Sequence, residues 1–172
     1  MPDKSPEWIA PRGIHPDRAL ELILNDVHPP SLEEVQVMVA SGRILGIDVH
    51  SRVDIPAFEK SAMDGFAYHS EDHSPEFRVL ETIPAGKVPA HRLNKGECAR
   101  IMTGAMMPEG ADRVIPLERA EEHNGIMRLR KADHARNVCG RGENLEKGME
   151  ALKAGTLIRP QEIATLSAAG YG

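Results

Sequence analysis

Between residues 44 and 130 the chain carries five short apolar segments: Ile44–Val49, Arg78–Ile83, Glu97–Met102, Arg113–Leu117 and Gly125–Arg130. Each is too short for an ordinary helix, rich in strand formers and partly alternating. Gly, Pro, Asn and Asp separate them. Alternation buries one face of a strand and the punctuating residues make turns, so the pattern predicts a small β-rich unit of barrel or sandwich type. His123-Asn124-Gly125 reads as a hairpin turn, because Asn and Gly tolerate positive φ.

The flanks carry helical spacing instead. Ala19, Leu20, Ile23, Leu24 and Val27 share one face of a helix that starts near His15-Pro16 and stops at His28-Pro29-Pro30. Ser31 and Glu34 form the S-x-x-E of a capping box, which predicts a second helix through Val35, Val37, Met38 and Val39 to Gly42. Lys153–Ile158 reads as a hairpin edge. Pro160 opens a last helix with Ile163, Ala164, Leu166 and Ala168, and Gly170 ends it. The expected fold is α+β. Both chain ends, residues 15–46 and 148–172, form an elongated helical segment, and a β-rich domain at 47–147 is inserted between them. Residues 1–12, with Pro2, Pro6 and Pro11, read as a loose arm.

Composition narrows the function. The 172 residues suit one domain or two small ones, and 41% are hydrophobic, enough for a packed core. Lys and Arg number 21 against 26 Asp and Glu, giving a net charge of −5. That balance speaks against a basic nucleic-acid surface, and the scarce aromatics speak against base-stacking platforms. No apolar run reaches membrane-spanning length, and the N-terminal residues show no apolar signal region. Cys98 and Cys139 lie 41 positions apart, neither a CxxC pair nor a disulfide framework. They read as buried or half-buried free thiols, and the expected location is cytoplasmic.

Three stretches carry candidate chemistry. In Asp54–Ala67, Ser61 and Asp64 sit three apart among small residues ahead of a short strand. Such a loop can present a carboxylate to a cation or a water, or simply turn the chain. In Arg100–Asp112 a strand runs into Thr103-Gly104-Ala105, where small residues allow backbone to approach an anion, or merely connect strands. In Arg141-Gly142-Glu143-Asn144 an arginine near a glycine turn can grip phosphate or carboxylate, or remain solvated. His69 and His73 have i,i+4 spacing but lie in a stretch that reads as loop. The other histidines have no ligand spacing. Met106 and Met107 read as packing residues.

In order along the chain come Gly42-Arg43-Ile44-Leu45, Asp54-x-Pro56-x-Phe58 and Ser61-Ala62-Met63-Asp64-Gly65-Phe66-Ala67. Arg100-Ile101-Met102-Thr103-Gly104-Ala105, Pro108-Glu109-Gly110-Ala111-Asp112, Arg141-Gly142-Glu143 and Ala154-Gly155-Thr156 follow. Together they resemble the N-terminal half of the MoeA family, molybdopterin molybdenumtransferases that include the E domain of gephyrin, across residues 17–172. The resemblance implies molybdenum cofactor biosynthesis: molybdate is inserted into adenylylated molybdopterin and AMP is released, with Mg2+ assisting. It implies a homodimer with a helical domain I and an inserted β domain II. A Rossmann-like domain III and a β-barrel domain IV would follow, with the cleft between domain II of one subunit and domains III and IV of the other.

Residue by residue, the resemblance makes Asp64 and Thr103 the catalytic candidates. Ser61, Met63, Gly65, Gly104 and Arg141 are the substrate-binding candidates, and Asp64 is the Mg2+ ligand. Asn144 stands where the family has an aspartate, and its amide brings no negative charge to a cation. Glu59-Lys60 replaces the Asp-Asn usual before Ser-Ala-Met. The resemblance stops where domain III would begin. The chain then reads as the N-terminal part of the enzyme, inactive alone. A short non-catalytic dimerisation or binding module acting with a separately encoded catalytic domain is the alternative. An unrelated β-domain protein is the remaining rival.

Overall fold

The computed structural model describes residues 14–28, 30–131 and 135–172. The proline-rich arm, Pro29 and His134 lie outside them. The chain divides into two compact units, residues 1–34 and 35–172.

In the first unit, helix α1 spans Pro16–Asp26. Proline suits the first helical position, where its missing N–H costs nothing, and His15 Nδ1 accepts the Asp17 N–H at 3.4 Å. Leu20, Ile23, Leu24 and Val27 form the expected stripe, and all four are exposed.

The second helix does not form. Residues 31–36 are irregular and only Val37–Val39 make one 3₁₀ turn. The capping signal is real, but the run behind it is β-branched, which lowers helix propensity. Gln36 is extended, and Val37 and Ala40 are buried in a cluster with Val49, Ile158 and Leu166. Tertiary burial decides this segment.

Among the described residues ten strands follow: β1 (Val49–His50), β2 (Lys60–Ser61), β3 (Gly65–Tyr68), β4 (Phe77–Ile83), β5 (Glu97–Ile101), β6 (Arg113–Pro116), β7 (Ala120–His123), β8 (Ile126–Leu129), β9 (Val138–Cys139) and β10 (Glu150–Leu152). Helix α2 spans Pro160–Ala168. The main sheet has the order β6-β3-β5-β4-β8-β7, and the small pairs β1-β10 and β2-β9 lie outside it. Four of the five segments expected from the sequence lie on β4, β5, β6 and β8. The first is split. Ile44 bridges Leu157, and Val49 and His50 pair with β10. Asn124 and Gly125 both have positive φ, 51° and 76°, and close the β7–β8 hairpin.

Strands β3, β5 and β6 are covered on both faces, so their alternation separates two cores rather than core from solvent. Ala67, Ala99, Ile101 and Val114 join Ile83, Leu93 and Met107 on one side. Phe66, Tyr68, Cys98 and Ile115 join Phe77 and Met127 on the other. Tyr68 and Phe77 meet edge to face at 5.5 Å. Both cysteines are free, and burial pushes the Cys98 thiol up to about 12. Met107 is a core residue. His69 and His73 lie outside helix and strand.

A mostly antiparallel sheet contains one parallel pair, β4 with β5. Parallel neighbours release their following loops at the same end. Strand β3 runs antiparallel to β5, with Gly65 opposite Ile101, so the loop entering β3 lies at that end too. This topology collects the loop before β3 and the loop after β5. Among the described residues, no helix is long and apolar enough to cross a membrane.

Candidate functional site

At that sheet end Asp64 and Thr103 meet, although 39 positions separate them. Asp64 is the last residue before β3, and Thr103 follows β5 by two. Asp64 Oδ1 accepts the Thr103 N–H at 2.7 Å and the Thr103 hydroxyl at 2.6 Å. The hydroxyl bond first, and the backbone bond after it, hold the Asp64 carboxyl below the usual carboxylate range. Both residues are exposed. Among the described residues, Asp64 Oδ2 receives no hydrogen bond, which leaves one charged oxygen facing solvent. Thr103 has a single hydroxyl proton and Asp64 takes it. Donation to an oxyanion would require that bond to be given up.

The glycines on either side have different duties. Gly65 is squeezed between strands: a β-carbon there would lie 2.0 Å from the Ile115 carbonyl oxygen. Gly104 has φ of 82° and turns the chain after Thr103, and its N–H donates to the Ser61 carbonyl at 2.8 Å. The Ser61 N–H donates to the Ala105 carbonyl at 2.9 Å. The Ser61 hydroxyl is buried, donates to the Met63 carbonyl and accepts the Met63 N–H. Of the substrate-binding candidates in this loop, only the Met63 side chain is exposed, at 42%.

Arg141 and Asn144 belong to a different loop pair. Arg141 Nε donates to Asp54 Oδ2 at 2.6 Å, and the Lys147 N–H donates to Asp54 Oδ1 at 2.8 Å. The Lys147 bond first, then Arg141, hold the Asp54 carboxyl low. The Asn144 N–H donates to the Ile55 carbonyl at 2.9 Å. Neither residue bonds to Asp64 or Thr103.

Some supporting residues carried no mark in the sequence reading. The Asn137 carbonyl accepts the Ala62 N–H at 3.0 Å, and its amide donates to the Val114 carbonyl at 2.9 Å. Its φ of 54° is one that asparagine tolerates better than most residues. The Leu117 N–H donates to the Asp64 carbonyl at 3.2 Å. These bonds fix the loop through its backbone, and backbone partners leave almost no trace in residue type.

No three His, Cys, Asp or Glu side chains gather among the described residues. Magnesium is commonly held through one or two carboxylates, with substrate phosphates and waters completing an octahedron. Asp64 Oδ2 fits a one-carboxylate contribution of that kind. Asn144 is joined to the other loop.

Comparison with known proteins places this geometry in a family. The family described as "MoeA N-terminal region (domain I and II)" matches residues 14–170. A molybdopterin molybdenumtransferase of Staphylococcus epidermidis is 38% identical over 138 residues, covering 76% of this chain and 33% of that protein. One from Staphylococcus aureus is 35% identical over 161 residues, covering 89% of this chain and 38% of that protein. The structure of the molybdopterin biosynthesis MoeA protein from Pyrococcus horikoshii OT3 superposes with a TM-score of 0.80 at 34% identity, covering 90% of this chain and 43% of that one. The chain thus spans about a third to two-fifths of the length of the curated relatives it matches. It belongs to the MoeA family, whose N-terminal region, domains I and II, it matches.

Proposed function

We propose that this chain forms the domain I and II side of a molybdopterin molybdenumtransferase, acting at the metal-insertion step of molybdenum cofactor biosynthesis. In this reading molybdate enters adenylylated molybdopterin and AMP leaves. The observation that carries it is the Asp64–Thr103 pair: the two motifs that mark the family meet through two hydrogen bonds at one sheet end.

The chemistry follows from that pair. Thr103 holds the Asp64 carboxyl below the usual carboxylate range and fixes its rotamer, so Oδ2 is presented in one direction. There it can hold a cation or accept a proton from water. Mg2+ bound there would offset phosphate charge on the adenylylated substrate. Met63 offers apolar contact beside the carboxylate. Gly65 and Gly104 shape the two loops, and Arg141, which gives its Nε to Asp54, stays a substrate-binding candidate through its Nη donors. Domains III and IV, joined to this segment or supplied by a partner chain, complete the cleft, and the chain alone is inactive.

The same reading assigns the domain I role to residues 15–46 and 148–172 and the domain II role to 47–147, in a cytoplasmic homodimer. The exposed stripe Leu20, Ile23, Leu24 and Val27 on α1 supports a partner for the first unit.

The test is AMP release and cofactor yield from adenylylated molybdopterin, molybdate and Mg2+, using the whole encoded protein. Asp64→Asn is expected to lower the rate by roughly 100-fold or more, with an unchanged circular dichroism spectrum. A normal yield overturns the site. Activity that appears only when a second chain is mixed in supports the module reading instead.

A further inference from the structure

We propose that Ser61 is a positioning residue rather than a substrate contact: its hydroxyl and backbone together lock the loop that aims Asp64 at Thr103. The claim rests on the reaction read above for its catalytic consequence, and on geometry for the positioning itself.

Ser61 is 1% exposed, so its side chain has no face to offer a ligand. Its hydroxyl is spent on one residue, donating to the Met63 carbonyl and accepting the Met63 N–H. That closes a turn over 61–63 and leaves Asp64 as the next residue out. Its backbone is spent on the opposite loop. The Ser61 N–H bonds the Ala105 carbonyl at 2.9 Å, and the Ser61 carbonyl takes the Gly104 N–H at 2.8 Å. Thr103 lies immediately before those two residues. Ser61 therefore holds both members of the pair, one through its side chain and one through its main chain, while touching neither carboxylate nor threonine hydroxyl.

The molecule contains its own control. Ser51 is 3% exposed and makes the same turn. Its hydroxyl donates to the Val53 carbonyl at 2.6 Å and accepts the Val53 N–H at 3.4 Å. Its backbone bonds Met149 and Gly148, both at 2.8 Å, and not the loop that carries Thr103. A purely structural serine turn is thus present twice, and only one copy is wired to the site.

The readout is amide hydrogen exchange at Thr103, followed by NMR on this chain, because the Thr103 N–H donates to Asp64 Oδ1. Asp64→Ala removes that acceptor and sets the scale of lost protection. Ser61→Ala is expected to lose at least half of that protection on a logarithmic scale, and Ser51→Ala is expected to keep it. Should Ser61→Ala not fold, Ser61→Cys nearly keeps the volume and weakens the donor, and the same loss is expected. Unchanged Thr103 exchange in a folded Ser61 variant overturns the proposal, as does an equal loss from Ser51→Ala. In the whole encoded protein, Ser61→Ala should lower kcat roughly 10- to 100-fold while KM moves less than about twofold. Full activity of Asp64→Asn would sink the reaction, whereas unchanged exchange would sink the positioning role with the reaction intact.

Discussion

Gly65 and Ile115 lie on neighbouring strands so close together that a side-chain carbon on Gly65 would sit 2.0 Å from the Ile115 carbonyl oxygen. The obstacle is backbone, which cannot rotate aside as a side chain does. Gly65→Ala should therefore force β3 and β6 apart beside Asp64. We expect a loss of about 3 kcal/mol or more in urea unfolding, at the upper end of overpacking costs. A loss under about 0.5 kcal/mol would mean that the sheet yields there without strain.

Gly125 offers the contrast. Nothing lies within 4 Å of where its β-carbon would be, but φ is 76°. Gly125→Ala should cost about 1 kcal/mol for conformation alone. Reversible denaturation of the variant measures it, and no change would show that the hairpin relaxes to another turn.

Thr103→Val keeps the backbone donor to Asp64 and removes the hydroxyl. The folded carboxyl is depressed, so the Asp64 carboxylate persists to lower pH than an ordinary one. Without the hydroxyl, the acid limb of the pH–rate profile should move to higher pH. Thr103→Ser should restore it. The profile of insertion by the whole encoded protein decides the matter, and an unmoved limb would disconnect the rate from Asp64.

Asp72 supplies a stability prediction. Burial works to raise its carboxyl, but the Ser74 hydroxyl, the Gly96 N–H and the Ser74 N–H outweigh that and hold it low. The bonds are 2.6, 2.6 and 2.9 Å long. A carboxyl depressed in the folded state binds fewer protons there than in the unfolded chain, so stability rises with pH across that interval. The contribution is complete above the ordinary carboxylate value of about 4 and disappears as pH falls through the folded value. Asp72→Ala should cost roughly 2 kcal/mol at neutral pH and flatten the acid side of the stability curve. Urea midpoints between pH 2 and pH 7 test both halves of that expectation.

Much of the secondary structure was legible. Helix α1 declared itself because Leu20, Ile23, Leu24 and Val27 repeat over two turns behind a proline. Strand β4 declared itself by length. The two-residue strands β2 and β9 are too short to alternate, so nothing could announce them. The segment from Ser31 misled for a different reason. Its local capping signal competes with burial of Val37 and Ala40 beside α2, a contact with residues more than a hundred positions away. The site was half legible. Residue type marked the two loops as candidates, and the family resemblance picked out Asp64 and Thr103. Their meeting depends on β3 pairing antiparallel with β5, Gly65 opposite Ile101, which residue spacing does not encode. The resemblance nominated Ser61 as a substrate-binding residue, and the turn that its hydroxyl closes is the other reading its residue type allowed.

The strand pairings also set a timetable. Asp64 is synthesised long before its supports. Its loop waits for Thr103 and Ala105, then for Leu117, then for Asn137 and the β9 pairing that receives β2. Closing such long-range contacts is slow compared with local turns. A nascent chain leaving the ribosome therefore displays the aspartate well before the site exists. A polypeptide ended before Asn137 would carry both family motifs while lacking the partners that hold the Asp64 loop in place.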